Sequence, residues 1–148
     1  MADPKSWKEE YRSKLVSEKE AAAQIRSGDT IIVPSVNSAP IDILNALAER
    51  KDELQNVRLA SNLMTYPYAF LQGDYVEHIT YYSGYLGPVE RMFFSQGNIV
   101  ANPMHLSKAQ IALELQGADD AYICEVTPPD DRGYMNHGPC GVAYGRYA

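Results

Sequence analysis

No apolar run in this chain approaches the ~20 residues that a membrane-spanning helix needs. The polar opening MADPKSWKEEYRSK also lacks the apolar stretch of a secretory signal. A cytoplasmic protein with no membrane partner is expected. Cysteine is scarce: Cys124 sits in an apolar run and Cys140 in a glycine-rich stretch, too few and too far apart for a disulfide framework or a zinc set. Both are expected to be structural free thiols. His78, His105 and His137 are isolated, with no partner at i, i+4 and no cysteine at ligand spacing, so no metal site is expected. Positive charge is in deficit, 13 Lys and Arg against 19 Asp and Glu, and the basic residues are scattered. No stripe exists that would track a phosphate backbone, which argues against nucleic acid as a partner. The two glycines of SGYLGPVER do not have the spacing of a dinucleotide fingerprint or a P-loop, and no G-x-S-x-G elbow is present. Internal repeats and low-complexity tracts are absent as well.

What is present reads as one globular domain over residues 1–148. The hydrophobic fraction of 45% and charged fraction of 22% are ordinary for a folded soluble chain. Trp7, Tyr11 and Leu15 recur at helical spacing within SWKEEYRSKL and would dock one stripe on a core. Ser17 and Glu20 form a capping-box pattern that starts a helix at Glu18, and Gly28 supplies a residue suited to ending it. The run TIIVPS is β-branched without alternation, the pattern of a strand buried on both faces. A polar loop, SVNSAP, leads to a helix over IDILNALAERKDEL, with Pro40 at its first turn and Ile43, Leu44, Leu47 and Leu54 facing one way.

The alternation continues. NVRLASNLM reads as a strand, YPYAFLQGD as a short helix or turn, EHITYYS as a strand, VERMFFSQG as a helix and NIVANP as a brief strand. HLSKAQIALELQG then reads as a helix and DAYICEV as a strand. Strands separated by such segments imply parallel pairing, hence an α/β fold with an open, mostly parallel sheet and helices on both faces.

Open parallel sheets bind ligands beyond the carboxyl ends of their strands. That rule selects PSVNS, NLMTYP, SGYLGP, ANPMH and TPPDDRGYMNHGPCG as the rim. Within the first of these, Ser35, Asn37 and Ser38 offer small donors and acceptors before a helix, either to a ligand or simply as a cap. The last loop, with its prolines, glycines and aspartates, ends a strand and is long enough to carry function. Glu125, inside an apolar run, is expected at the sheet end, paired with a neighbour, with Arg132 and Asp130 of the following loop as candidate partners.

Two segments carry a resemblance. KLVSEKEAAAQIRSGDTIIV near the start and AYICEVTPPDDRGYMNHGPCG near the end resemble the N-terminal half of the acetyl-CoA hydrolase/transferase family, which includes 4-hydroxybutyrate and butyryl-CoA:acetate CoA-transferases. PPDDRGYMNHGP is similar to the family's PPD-x-x-G-Y-x-x-x-G-P loop, the more specific of the two motifs, and the likeness extends over nearly the whole chain. It implies transfer of CoA between an acyl-CoA and a short-chain carboxylate such as acetate, butyrate or 4-hydroxybutyrate. A glutamate would pass through an acyl anhydride and a glutamyl-CoA thioester. No cofactor is implied beyond coenzyme A as substrate, and a homo-oligomer is expected.

The family carries its glutamate in a second half, whereas this sequence ends at GVAYGRYA. No catalytic residue is therefore assigned here, and the expectation is an N-terminal half, inactive alone, that needs the other half or a partner chain. By the same resemblance Ser35, Val36, Asn37, Ser38, Asn136, Gly138 and Pro139 help enclose the acyl group. An acyl-CoA hydrolase of the same family and a non-catalytic α/β binding module are the alternatives.

Overall fold

The computed structural model describes residues 4–108 and 120–137. Four α-helices lie among them: α1 (Pro4–Lys14), α2 (Glu18–Ala22), α3 (Ile41–Glu49) and α4 (Pro88–Phe93). Five short strands, β1 (Thr30–Ile32), β2 (Val57–Ser61), β3 (Ile79–Ser83), β4 (Ile99–Ala101) and β5 (Ala121–Tyr122), form one open sheet in the order β4-β3-β2-β1-β5. Every pairing is parallel. The fold is α/β, as expected.

The local signals explain the elements. Ser17 caps α2: its hydroxyl accepts from the Glu20 amide at 3.3 Å while the Glu20 carboxylate accepts from the Ser17 amide at 2.8 Å. Gly28 turns the chain into β1 with φ of +88°, a conformation that costs glycine little. All of β1 is buried. Ile31 and Val33 join Leu44 and Leu47 of α3, Ala22 of α2, and Leu59 and Tyr81 of the neighbouring strands in one apolar cluster. Ile32, equally buried, projects to the opposite face by the two-residue strand period.

Several boundaries differ from the sequence pattern. Pro40 stands just before α3 instead of inside its first turn, and α3 stops at Glu49. Leu54 is buried from the extended residue that follows a 3₁₀ turn, so it reaches the core without being helical. Leu15 lies beyond α1 and is 57% exposed, so the docking stripe consists of Trp7 and Tyr11. The β2-to-β3 crossover is built from two 3₁₀ turns, Ala69–Leu71 and Gly73–Tyr75, whose Phe70 and Leu71 are fully buried. Buried Asn98 ties that crossover to the sheet by donating to the carbonyls of Phe70 and Ile79. The helix expected over 105–117 falls mostly outside the described residues, which include only its opening 3₁₀ turn, Leu106–Lys108. The strand expected over 120–126 pairs only at Ala121 and Tyr122.

Candidate functional site

The strand order creates a switch point. From β1 the chain steps outward to β2, β3 and β4, then returns to place β5 on the other side of β1. The loops leaving β1 and β5 therefore diverge at their carboxyl ends, and a crevice opens between them, the place where open α/β sheets hold ligands. Strand pairing ends here: the Ile123 amide makes the last β1/β5 ladder bond, to the Ile32 carbonyl at 3.0 Å, and the Glu125 amide then donates across the crevice to the Ser38 carbonyl at 3.2 Å.

Asn37, Ser38, Glu125, Val126, Thr127, Asn136 and His137 line a cavity of about 210 Å³ at this point. Three of the expected residues, Asn37, Ser38 and Asn136, are thus brought together. Ser38 is buried, and its hydroxyl donates to the His137 carbonyl at 3.5 Å. Ser35 and Val36 are half-buried and shape the turn instead of lining it. Val36 has φ of +56°, an uncommon conformation for a β-branched residue, of a kind that costs about 1–3 kcal/mol where it persists. None of Ser35, Asn37 or Ser38 caps α3, whose preceding residue is Pro40 and which has no side-chain cap. Gly138 and Pro139 lie outside the described residues, as does Cys140.

The far wall is a braced loop. The Asp130 carboxylate accepts from the amides of Arg132 and Tyr134 at 2.8 and 2.9 Å, closing a tight turn. The Thr127 amide donates to the Asn136 carbonyl at 2.9 Å, and the Asn136 amide returns a bond to the Thr127 hydroxyl at 3.0 Å. On its other side the loop packs Gly133 against Trp7 of α1. Gly133 has φ of +88°, and an added Cβ there would meet the indole at 3.0 Å, so the motif's glycine is required twice over.

Glu125 corrects an expectation. It does lie past the sheet end, but it is exposed, and among the described residues it forms no ion pair with Arg132. Its charge acts instead on Tyr68. Burial first, then Glu125, then Tyr66 push that phenol far above its ordinary range. His137, which lies in the expected rim loop but is not among the residues singled out there, contributes to the wall. Its ring lies 3.7 Å from the Cys124 sulfur and 6.4 Å from the Tyr122 ring. Burial pushes the Cys124 thiol up, offset in part by Tyr122, so this cysteine is held as a neutral thiol. Among the described residues no group of His, Cys, Asp and Glu is arranged to hold a metal ion, and no helix is long and apolar enough to cross a membrane.

This topology, with a crevice at the switch point walled by a P-P-D-x-x-G-Y loop, is that of a known domain class. Residues 1–144 match the acetyl-CoA hydrolase/transferase N-terminal domain, and the chain belongs to that family. Among characterised relatives it is 30% identical over 142 residues to a butyryl-CoA:acetate CoA-transferase of Anaerostipes caccae, covering 90% of this chain and 30% of that protein. It is 29% identical over 131 residues to a succinyl-CoA:cyclohexane-1-carboxylate CoA transferase of Geobacter metallireducens, again covering 30% of that protein. The chain therefore spans about 30% of the length of these curated relatives. In solved structures the fold matches RipA from Yersinia pestis with a TM-score of 0.78 at 24% identity, over 90% of this chain and 33% of that one. A 4-hydroxybutyrate CoA-transferase from Porphyromonas gingivalis matches with a TM-score of 0.57 at 16% identity, over 89% of this chain and 30% of that one.

Proposed function

We propose that this chain is the acyl-enclosing N-terminal portion of a CoA-transferase that moves CoA between an acyl-CoA and a short-chain carboxylate. The observation that carries this reading is the cavity at the β1/β5 switch point, lined by Asn37, Ser38 and Asn136, in a chain of this family. Its volume of about 210 Å³ falls below the ~300–1,000 Å³ of sites that take drug-sized ligands, and suits a two- to four-carbon acyl group. The lining is mixed. Amide and hydroxyl groups of Asn37, Ser38, Thr127 and Asn136 suit a carbonyl or carboxylate, and Val126 offers apolar contact to a short alkyl chain.

The nucleophile in this reading is a glutamate outside the 148 residues. Attack of its carboxylate on the thioester would give an acyl anhydride and free CoA thiolate. The thiolate would then form a glutamyl-CoA thioester and release the first carboxylate, and the incoming carboxylate would reverse the sequence. The residues described here would position the acyl group and keep it from bulk water.

The test is transfer from butyryl-CoA to acetate, measured on the 148-residue chain alone and on the longer protein or complex that supplies the glutamate. The expected result is no turnover alone, turnover in the completed protein, and at least a tenfold loss of kcat/KM there for Asn37→Ala with Ser38→Ala. Transfer by the isolated chain, or unchanged kinetics in the double variant, would overturn the reading. Acyl-CoA consumption that does not depend on acetate would identify a hydrolase built on the same site.

A further inference from the structure

A second buried polar cluster lies at the carboxyl ends of β2 and β3, outside the cavity just described. Its centre is Glu90, with no exposed surface. One carboxylate oxygen accepts from the Met64 amide at 2.7 Å and the Tyr81 hydroxyl at 3.1 Å; the other accepts from the Gly87 amide at 2.9 Å. No cation touches it among the described residues. Its partners are two main-chain amides, a phenol and the first turn of α4, where it stands at the third helical position.

These donors belong to different loops. Met64 is in the loop after β2, and Gly87 is in the loop after β3. A further main-chain bond, from the Leu63 amide to the Tyr85 carbonyl at 3.1 Å, joins the same two loops. The cluster also extends toward β1. Ser61 and Ser83 pair in register across β2 and β3, and Tyr81 lies two residues before Ser83 on the same face of β3. Ser83 donates to the Tyr85 carbonyl at 2.9 Å. Ser61 donates to the carbonyl of Pro34 at 3.3 Å, the residue immediately before the 35–38 turn. Ser61, Tyr81 and Ser83 are all buried.

A buried carboxylate without a counter-ion is costly unless it is hydrogen-bonded, and three donors converging on it from separate segments hold one geometry. We propose that Glu90 is a positioning residue for the cleft: by holding Tyr81 of β3 and the Met64 amide, three residues past Ser61, it forms with Ser61 a buried brace that sets the backbone of the 35–38 segment as well as the loops after β2 and β3. That the 35–38 segment meets substrate rests on the function proposed above; that Glu90 holds it in place does not.

Amide hydrogen exchange on the 148-residue chain separates the two. Tyr81→Phe removes the bond between β3 and the carboxylate while leaving both amides on Glu90. Ser61→Ala removes the contact on Pro34, and serves if Tyr81→Phe fails to fold. The amides of Ser38 and Glu125, bonded at the cavity wall, should exchange at least tenfold faster in either variant. The Val57 and Arg58 amides, at the far end of β2, should change by less than twofold. Equal change at both ends, or none at Ser38 and Glu125, would overturn the proposal.

In the completed enzyme, Tyr81→Phe should lower kcat by about tenfold with KM nearly unchanged, because geometry and not binding is disturbed. Faster exchange with unaltered kcat would overturn the positioning role. If the unmodified completed enzyme transfers no CoA, the functional reading fails and the exchange result still decides whether the brace exists.

Discussion

Glu20 and Glu90 occupy the same place in their helices, three residues after the residue that starts the turn, and each accepts from the backbone amide of that starting residue. Their surroundings are opposite. Glu20 is exposed, and Ser17 supplies both its partners, amide and hydroxyl. Glu90 is wholly buried and takes partners 26 and 9 residues away in sequence. Gly87 has no side chain to return a bond, so α4 keeps only the carboxylate half of a capping box. The same local motif is thus a helix start in one place and a tertiary tie in the other, and burial is what makes the difference.

The contrast is most easily broken at the buried site. Glu90→Ala leaves three buried donors without an acceptor and should lower stability by at least about 3 kcal/mol in urea unfolding. A loss under 1 kcal/mol would mean that water enters and the tie is not structural. Gly87→Ala comes next. A Cβ there would lie 2.6 Å from Leu63 Cδ1 and 2.8 Å from Glu90 Oε2, so the carboxylate must move, with an expected cost of about 1–3 kcal/mol. Ser17→Ala should cost about 1 kcal/mol, the usual value of a lost N-cap, with no effect on the cavity.

The smallest effect is in acid. Hydrogen bonds from the Ser17 amide, then its hydroxyl, hold the Glu20 carboxyl below its ordinary value of 4.5. A carboxyl lowered in the folded state contributes stability above its unfolded pKa and loses it as pH falls through the folded value. Stability should therefore decline slightly less steeply below about pH 4.5 in Ser17→Ala than in the parent chain, as read from urea midpoints across that range.

This contrast also separates what the sequence makes legible from what it does not. The Ser17 cap, the turn at Gly28 and the order of strands follow from neighbours within a few residues, and they are where the pattern places them. The carboxyl-end rule likewise points to Asn37 and Ser38, and the family resemblance to Asn136, all three of which line the cavity. Glu90 is invisible in VERMFF, where it looks like an ordinary solvated helix charge, because Met64 and Tyr81 reach it only through the sheet. His137 joins the cavity wall for a similar reason: its partners Ser38 and Cys124 are supplied by two different strand ends. The apolar run 120–126 suggests a long strand, yet past the Ile123 ladder bond the Glu125 amide turns to the Ser38 carbonyl, a use that depends on where β1 ends.

The position of β5 has a kinetic side. β1 to β4 are joined in sequence order, each to its neighbour, whereas β5 pairs with β1 across a separation of 90 residues, marked at its edge by the Thr30 amide on the Asp120 carboxylate at 2.7 Å. Loop-closure entropy grows with separation, and long-range parallel pairing is slow. The four-stranded part of the sheet should therefore assemble first and the β1/β5 edge last. The crevice between β1 and β5 belongs to that last edge, so it comes into existence only at the end of folding.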